Sequence, residues 1–132
     1  MRVVLANGCF DPAHYGHLLH LKAAREMGDY LIVSVTSDES VRKEKPGRPI
    51  FTESQRAEFV ESLKCVDHAI IVPSVLLALA TVRPDILVKG PDYRQSMGKD
   101  VREYCKRHGI AICFTHDKKW SSTDLIRELR RG

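Results

Sequence analysis

No G-x-x-x-x-G-K-[ST] run and no G-x-G-x-x-G run occurs in the 132 residues. Their absence excludes P-loop kinases and ATPases and the dinucleotide-binding fingerprint. Cysteine is sparse. Cys9, Cys65, Cys105 and Cys113 show neither a C-x-x-C pair nor zinc-finger spacing. A chain that can build an ordinary core needs no disulfide framework, and Cys65 and Cys113 read as small apolar core residues. No apolar run approaches the roughly 20 residues that span a bilayer. Met1-Arg2 leads at once into a short apolar segment, so no signal peptide is expected and the cytoplasm is the default setting. Basic residues cluster only at 43–45 and 127–131, so neither a nucleic-acid partner nor a membrane partner is expected.

The composition is that of an ordinary globular protein, with 43% hydrophobic and 29% charged residues and a net charge of +4. Such a modest positive balance fits anionic substrates. The length fits one domain over residues 1–132. Strand-like runs fall at 2–6, 30–36, 68–72, 86–88 and 110–114, and helical patterns at 16–27, 54–63, 74–80, 98–107 and 123–131. The runs are nearly continuous in apolar residues, as in Leu31-Ile32-Val33-Ser34-Val35, which both-face burial in a parallel sheet demands. The expected fold is therefore α/β, a single Rossmann-like domain with a five-stranded parallel sheet flanked by helices. Residues 43–51 and 89–97 are the least regular and the best placed to close over a ligand.

The stretch Asn7-Gly8-Cys9-Phe10-Asp11-Pro12-Ala13-His14-Tyr15-Gly16-His17 joins the first strand to the first helix. Such junctions are where α/β sheets place ligands, and helix N-termini attract anions. His14 and His17 stand three residues apart and share a helix face. Neutral imidazoles donate hydrogen bonds and protonated ones add charge; either stabilises a phosphoryl centre. Alone, the pair would equally fit surface histidines or a metal pair. Gly8 and Gly16 permit close backbone approach to a ligand or an unusual φ. Asp11-Pro12 fits a plain turn, and His20 reads as a packing residue.

The run from Gly8 to His17 resembles the phosphate-binding signature of the HxGH nucleotidyltransferase superfamily, the cytidylyltransferase-like proteins. Later segments are similar to the branch holding heptose-1-phosphate adenylyltransferase and glycerol-3-phosphate cytidylyltransferase. They are Gly28-Asp29-Tyr30-Leu31-Ile32-Val33, Thr36-Ser37-Asp38-Glu39-Ser40-Val41, Arg48-Pro49 with Glu53 and Arg56, Val66-Asp67, Val88-Lys89-Gly90-Pro91-Asp92-Tyr93 and Ser121-Ser122-Thr123. The likeness spans essentially the whole chain in motif order. Gly90-Pro91-Asp92 departs from the commoner Gly-Gly-Asp or Asp-Asp. Lys118 or Lys119 stands where the branch often has arginine, beside an unusual Trp120. Adenylyltransferase members often carry a fused sugar kinase, which these residues do not include.

The resemblance implies transfer of a nucleoside monophosphate from a triphosphate, with ATP ranked first, to a small phosphorylated acceptor such as a sugar 1-phosphate, with Mg²⁺ as cofactor. The alternatives are a CTP-dependent glycerol-3-phosphate cytidylyltransferase and a nucleotide-binding module without turnover. It assigns catalysis to His14, His17, Lys43 and Lys45, the lysines lying in a loop after the second strand–helix unit. It assigns nucleotide binding to Gly8, Cys9, Phe10, Asp11, Gly16, Lys89, Asp92, Tyr93, Ser121, Ser122 and Thr123, and acceptor binding to Arg56. Asp11 would organise the phosphate loop or the metal. A homodimer is a further expectation, because relatives commonly dimerise.

Overall fold

The computed structural model describes residues 1–90 and 97–115. Asp92, Tyr93, Lys118, Lys119, Trp120, Ser121, Ser122, Thr123 and the helix expected at 123–131 lie outside the described residues.

Five parallel strands form the sheet: β1 (Val3–Gly8), β2 (Tyr30–Thr36), β3 (His68–Val72), β4 (Ile86–Lys89) and β5 (Ala111–Phe114). Between them run α1 (Tyr15–Glu26), α2 (Asp38–Glu44), α3 (Glu53–Glu61), α4 (Val75–Val82) and α5 (Lys99–His108). The strand order is β3-β2-β1-β4-β5. The chain begins in the middle, builds outward to β3, then returns to the other side of β1. The carboxyl ends of β1 and β4 therefore flank the switch point where open α/β sheets open a crevice.

Alternation along the strands sorts the core into two layers. Val4, Ala6, Leu31 and Val33 meet Leu21 and Ala24 of α1 and Val60 of α3. Leu5 and Leu87 meet Ala78 and Leu79 of α4 and Val101 and Cys105 of α5. The four cysteines carry free thiols; Cys105 is buried, while Cys65 and Cys113 pack half-buried against the first layer. No helix among the described residues is long and apolar enough to cross a membrane.

One helix leaves no mark in the apolar periodicity; only the second strand–helix unit of the resemblance points to it. α2 occupies a segment without apolar periodicity, burying only Val41. Its termini carry the signals instead: Ser37 caps the N-terminus, Asp38 and Glu39 fill the first turn, and Arg42 and Lys43 fill the last. Lys43 accordingly lies on a helix and Lys45 at its C-cap, rather than in a loop. β1 also runs two residues past its expected end, through Asn7 and Gly8, because Asn7 and Gly8 pair with Ser34 and Val35 of β2.

Candidate active site

His14 is the N-cap of α1 and His17 its third residue. Histidine is not a favoured cap, yet the two rings close a capping box. The Gly16 N–H donates to His14 Nδ1 at 3.1 Å, and the His14 N–H donates to His17 Nδ1 at 3.1 Å. A ring nitrogen that accepts carries no proton, so each neutral imidazole holds its proton on Nε2. The rings lie 3.9 Å apart between centroids. Burial, then the neighbouring His14 and His20, press the His17 pKa down to about 4, and burial lowers that of His14. The pair thus carries two neutral Nε2–H donors. Neither Nε2 has a hydrogen bond among the described residues.

The loop before α1 owes its shape to Phe10. Its φ is +53°, and its ring is buried against His17 at 5.1 Å between centroids. A left-handed non-glycine residue costs roughly 1–3 kcal/mol, so surrounding contacts must hold it. Gly8 makes room for that ring: a Cβ there would lie 2.9 Å from Phe10 Cε2 and Cζ. Glycine is needed here for a side chain within the protein, and the positive φ of this loop belongs to Phe10. Asn7 Nδ2 donates to Ser34 Oγ at 2.8 Å, fixing the end of β1 on β2.

Asp11 is a clasp. Its carboxylate accepts from the N–H groups of Ile50, at 2.8 Å, and Phe51, at 2.9 Å, with the Arg48 guanidinium at 3.5 Å. Burial pushes its pKa up, but the Phe51 and Ile50 N–H groups and Arg48 together outweigh it, so the group stays below its ordinary value. Asp11 ties the loop before α1 to residues 48–51, and its oxygens accept from backbone donors.

Arg56, expected at the acceptor, is built into the scaffold. Its side chain is 1% exposed and donates to the carbonyls of Cys9, Thr36 and Phe51 and to the Asp38 carboxylate. A guanidinium so enclosed has no open face to offer a ligand. Asp38, Thr36 and Arg48 shape the site; the resemblance includes them but assigns them no role.

Lys89 ends β4, one residue beyond the Ala6–Val88 pair, so it lies at the switch point beside the end of β1. It is buried, and burial lowers its pKa while the nearby Cys9 sulfur pulls the other way. Lys43 and Lys45 are solvent-exposed, Lys43 lying 3.7 Å from Glu39. No hydrogen bond or ion pair joins either lysine to the histidines among the described residues; the Asp11 clasp ties residues 48–51, which follow the lysines, to the loop before α1. His20 bridges to Thr115 Oγ1 at 2.9 Å, as befits a packing residue. Beside the histidines an apolar groove of about 310 Å³ runs between α1 and α3, past Tyr15, Leu18, Phe59 and Leu63.

The signature loop, the switch point and the paired imidazoles coincide with a family model described as cytidylyltransferase-like, which matches residues 5–128. The chain belongs to the cytidylyltransferase-like family. It is similar to the bifunctional protein HldE of Geotalea uraniireducens, 39% identical over 99% of this chain, and to that of Nitratiruptor sp., 40% identical over 98%. This cytidylyltransferase-like chain spans 27% and 28% of those relatives' lengths. Among solved structures it resembles a lipopolysaccharide core biosynthesis protein from Thermoplasma volcanium, with a TM-score of 0.76 and 32% identity, covering 90% of this chain and 99% of that one. An Archaeoglobus fulgidus protein of unknown function shares the fold at a TM-score of 0.69 and 22% identity.

Proposed function

We propose that the protein is a nucleotidyltransferase that moves a nucleoside monophosphate, AMP by preference, from a triphosphate to a small phosphorylated acceptor such as a sugar 1-phosphate. The observation that carries this reading is the pair of neutral Nε2–H donors set by the His14–His17 capping box at the mouth of the switch point. An anionic acceptor oxygen attacks the α-phosphorus, the bond to the β-phosphate oxygen breaks, and pyrophosphate leaves. No proton needs removal from an anionic acceptor, so the site requires donors rather than a base. His14 and His17 stabilise charge that grows on the α-phosphoryl oxygens. Lys89 and the basic end of α2 attract and hold the phosphates.

Magnesium fits as a companion of the triphosphate. It commonly keeps phosphate oxygens and water as ligands and needs few protein carboxylates. Among the described residues no group of three His, Cys, Asp or Glu converges to form a cage, and the Asp11 oxygens are occupied by backbone donors. Bound there, the ion would neutralise phosphate charge. A cytoplasmic setting and the absence of nucleic-acid and membrane partners belong to the same reading. So does a homodimer, which would cover Tyr15 and Phe59, exposed by 52% and 56%.

The second reading, a CTP-dependent glycerol-3-phosphate enzyme, is favoured only by the description of the family model. Thermal shift separates the two, because a ligand raises stability according to its affinity for the native state. Mg²⁺-ATP should raise the melting temperature more than Mg²⁺-CTP at equal concentration. A larger shift with CTP reverses the ranking. No shift with any triphosphate, together with no pyrophosphate release from a panel of acceptors, leaves a module without turnover.

A further inference from the structure

Arg56 gathers four chain segments at one guanidinium. Nε donates to the Phe51 carbonyl at 3.0 Å, Nη1 to those of Cys9 and Thr36 at 2.8 Å each, and Nη2 to Asp38 Oδ1 at 2.7 Å. These acceptors belong to the turn before α3, the phosphate loop, the carboxyl end of β2 and the first turn of α2. Cys9 immediately precedes Phe10, where the chain turns through positive φ. At the other side of the same loop, Asp11 is gripped by Ile50 and Phe51. The segment 48–56 therefore brackets the phosphate loop from both sides. Only a planar fork can serve four acceptors in these directions; a lysine ammonium offers three donors from one point.

We propose that Arg56 is a positioning residue for nucleotidyl transfer: through the Cys9 carbonyl and Asp38 it fixes the loop leading to His14 and His17 against α2, which carries Lys43. The kinetic part rests on the nucleotidyl-transfer reading. Attraction between phosphates and lysines tolerates small displacements, whereas donors that must meet the transition state do not. Loosening the bracket should therefore lower kcat and spare KM.

The test uses Arg56→Lys and, because the first variant risks misfolding, Asp38→Asn, which keeps the three carbonyl bonds. Pyrophosphate release is followed at a temperature where circular dichroism shows each variant folded. For Arg56→Lys, kcat should fall about 10- to 100-fold with KM for the triphosphate changed less than about threefold. Asp38→Asn should shift the same way by less. A substrate-free measurement accompanies it: the NMR titration of His17, whose ring packs on Phe10 and faces His14 and His20. A loosened loop hydrates that ring, so its midpoint should rise from about 4 toward the ordinary histidine value. Wild-type turnover with both variants unchanged in kcat and in the His17 midpoint overturns the proposal. So does a loss confined to KM. A shifted His17 midpoint in a protein whose wild type turns over no triphosphate sustains the positioning role and refutes the nucleotidyl-transfer reading instead.

Discussion

The two edges of the sheet use polar residues in opposite ways. At the amino-terminal edge, Asp29, Asp67 and Asp85 each stand one residue before a strand. Their carboxylates accept the N–H groups of Arg2, Leu31 and Val3 at 2.7, 2.7 and 2.8 Å. Each aspartate returns its own N–H to the carbonyl of the same partner. This edge closes its hydrogen bonds internally and pins the strand register. At the carboxyl edge, the imidazoles accept from the start of α1 and its cap through Nδ1 and keep Nε2–H without a partner among the described residues, while Lys89 and the end of α2 add positive charge. Hydrogen bonds there shape the loop and leave its imidazole donors unpaired among the described residues. The comparison shows where stability and chemistry separate in one small sheet.

The sharpest way to break that contrast is to remove a donor. His14→Ala and His17→Ala should each lower turnover at least about 100-fold, the scale for one transition-state donor. Each also loses half of the capping box, so a stability cost of about 0.5–2 kcal/mol should accompany it in denaturant melts. Turnover near that of the wild type would remove the imidazole from catalysis.

The basic segment should respond more gently. Lys43→Ala combined with Lys45→Ala should raise KM for the triphosphate about three- to tenfold at low salt, with the difference shrinking as ionic strength rises. Kinetics that match the wild type at every salt concentration would make these lysines solvated surface.

Much of this contrast was legible in the residues. The apolar runs marked all five strands, and the position of His14 and His17 after the first of them marked the site. Arg56 was harder. It recurs with Val60 and Leu63 at i, i+4 and i+7, a charged residue on an apolar stripe, which signals burial. Its acceptors, however, lie at 9, 36, 38 and 51, and no local pattern brings those together. Phe10 hid its left-handed φ because that conformation is expected of glycine, and the neighbouring Gly8 serves its ring instead. Periodicity did not mark the α2 helix because capping and charge define it; the second strand–helix unit of the resemblance alone pointed to it.

At the other edge the expectation inverts. Asp85→Asn weakens a charge-assisted bond to the Val3 N–H and should cost about 1–3 kcal/mol of stability, with turnover per folded molecule within about twofold of the wild type. A large kinetic effect would mean that the edges are coupled. A further effect is in pH. The His17 pKa is depressed to about 4 from the ordinary histidine value of 6.5, so the unfolded chain binds more protons between those values and stability falls as pH drops through that window. Asp11 acts lower: its depressed folded pKa adds stability that is lost only as pH falls below 3.8. Melting temperatures between pH 7 and 4 should decline less steeply for His17→Ala than for the wild type.

The most direct measurement compares three proteins in one assay: wild type, His17→Ala and Asp85→Asn, each with Mg²⁺-ATP and a panel of sugar 1-phosphates, following pyrophosphate and the nucleotidyl product together. The account predicts equimolar pyrophosphate and product from the wild type, a loss of at least about 100-fold in His17→Ala, and near-normal turnover in Asp85→Asn. Equal losses in both variants, or wild-type release of inorganic phosphate without a nucleotidyl product, would contradict it.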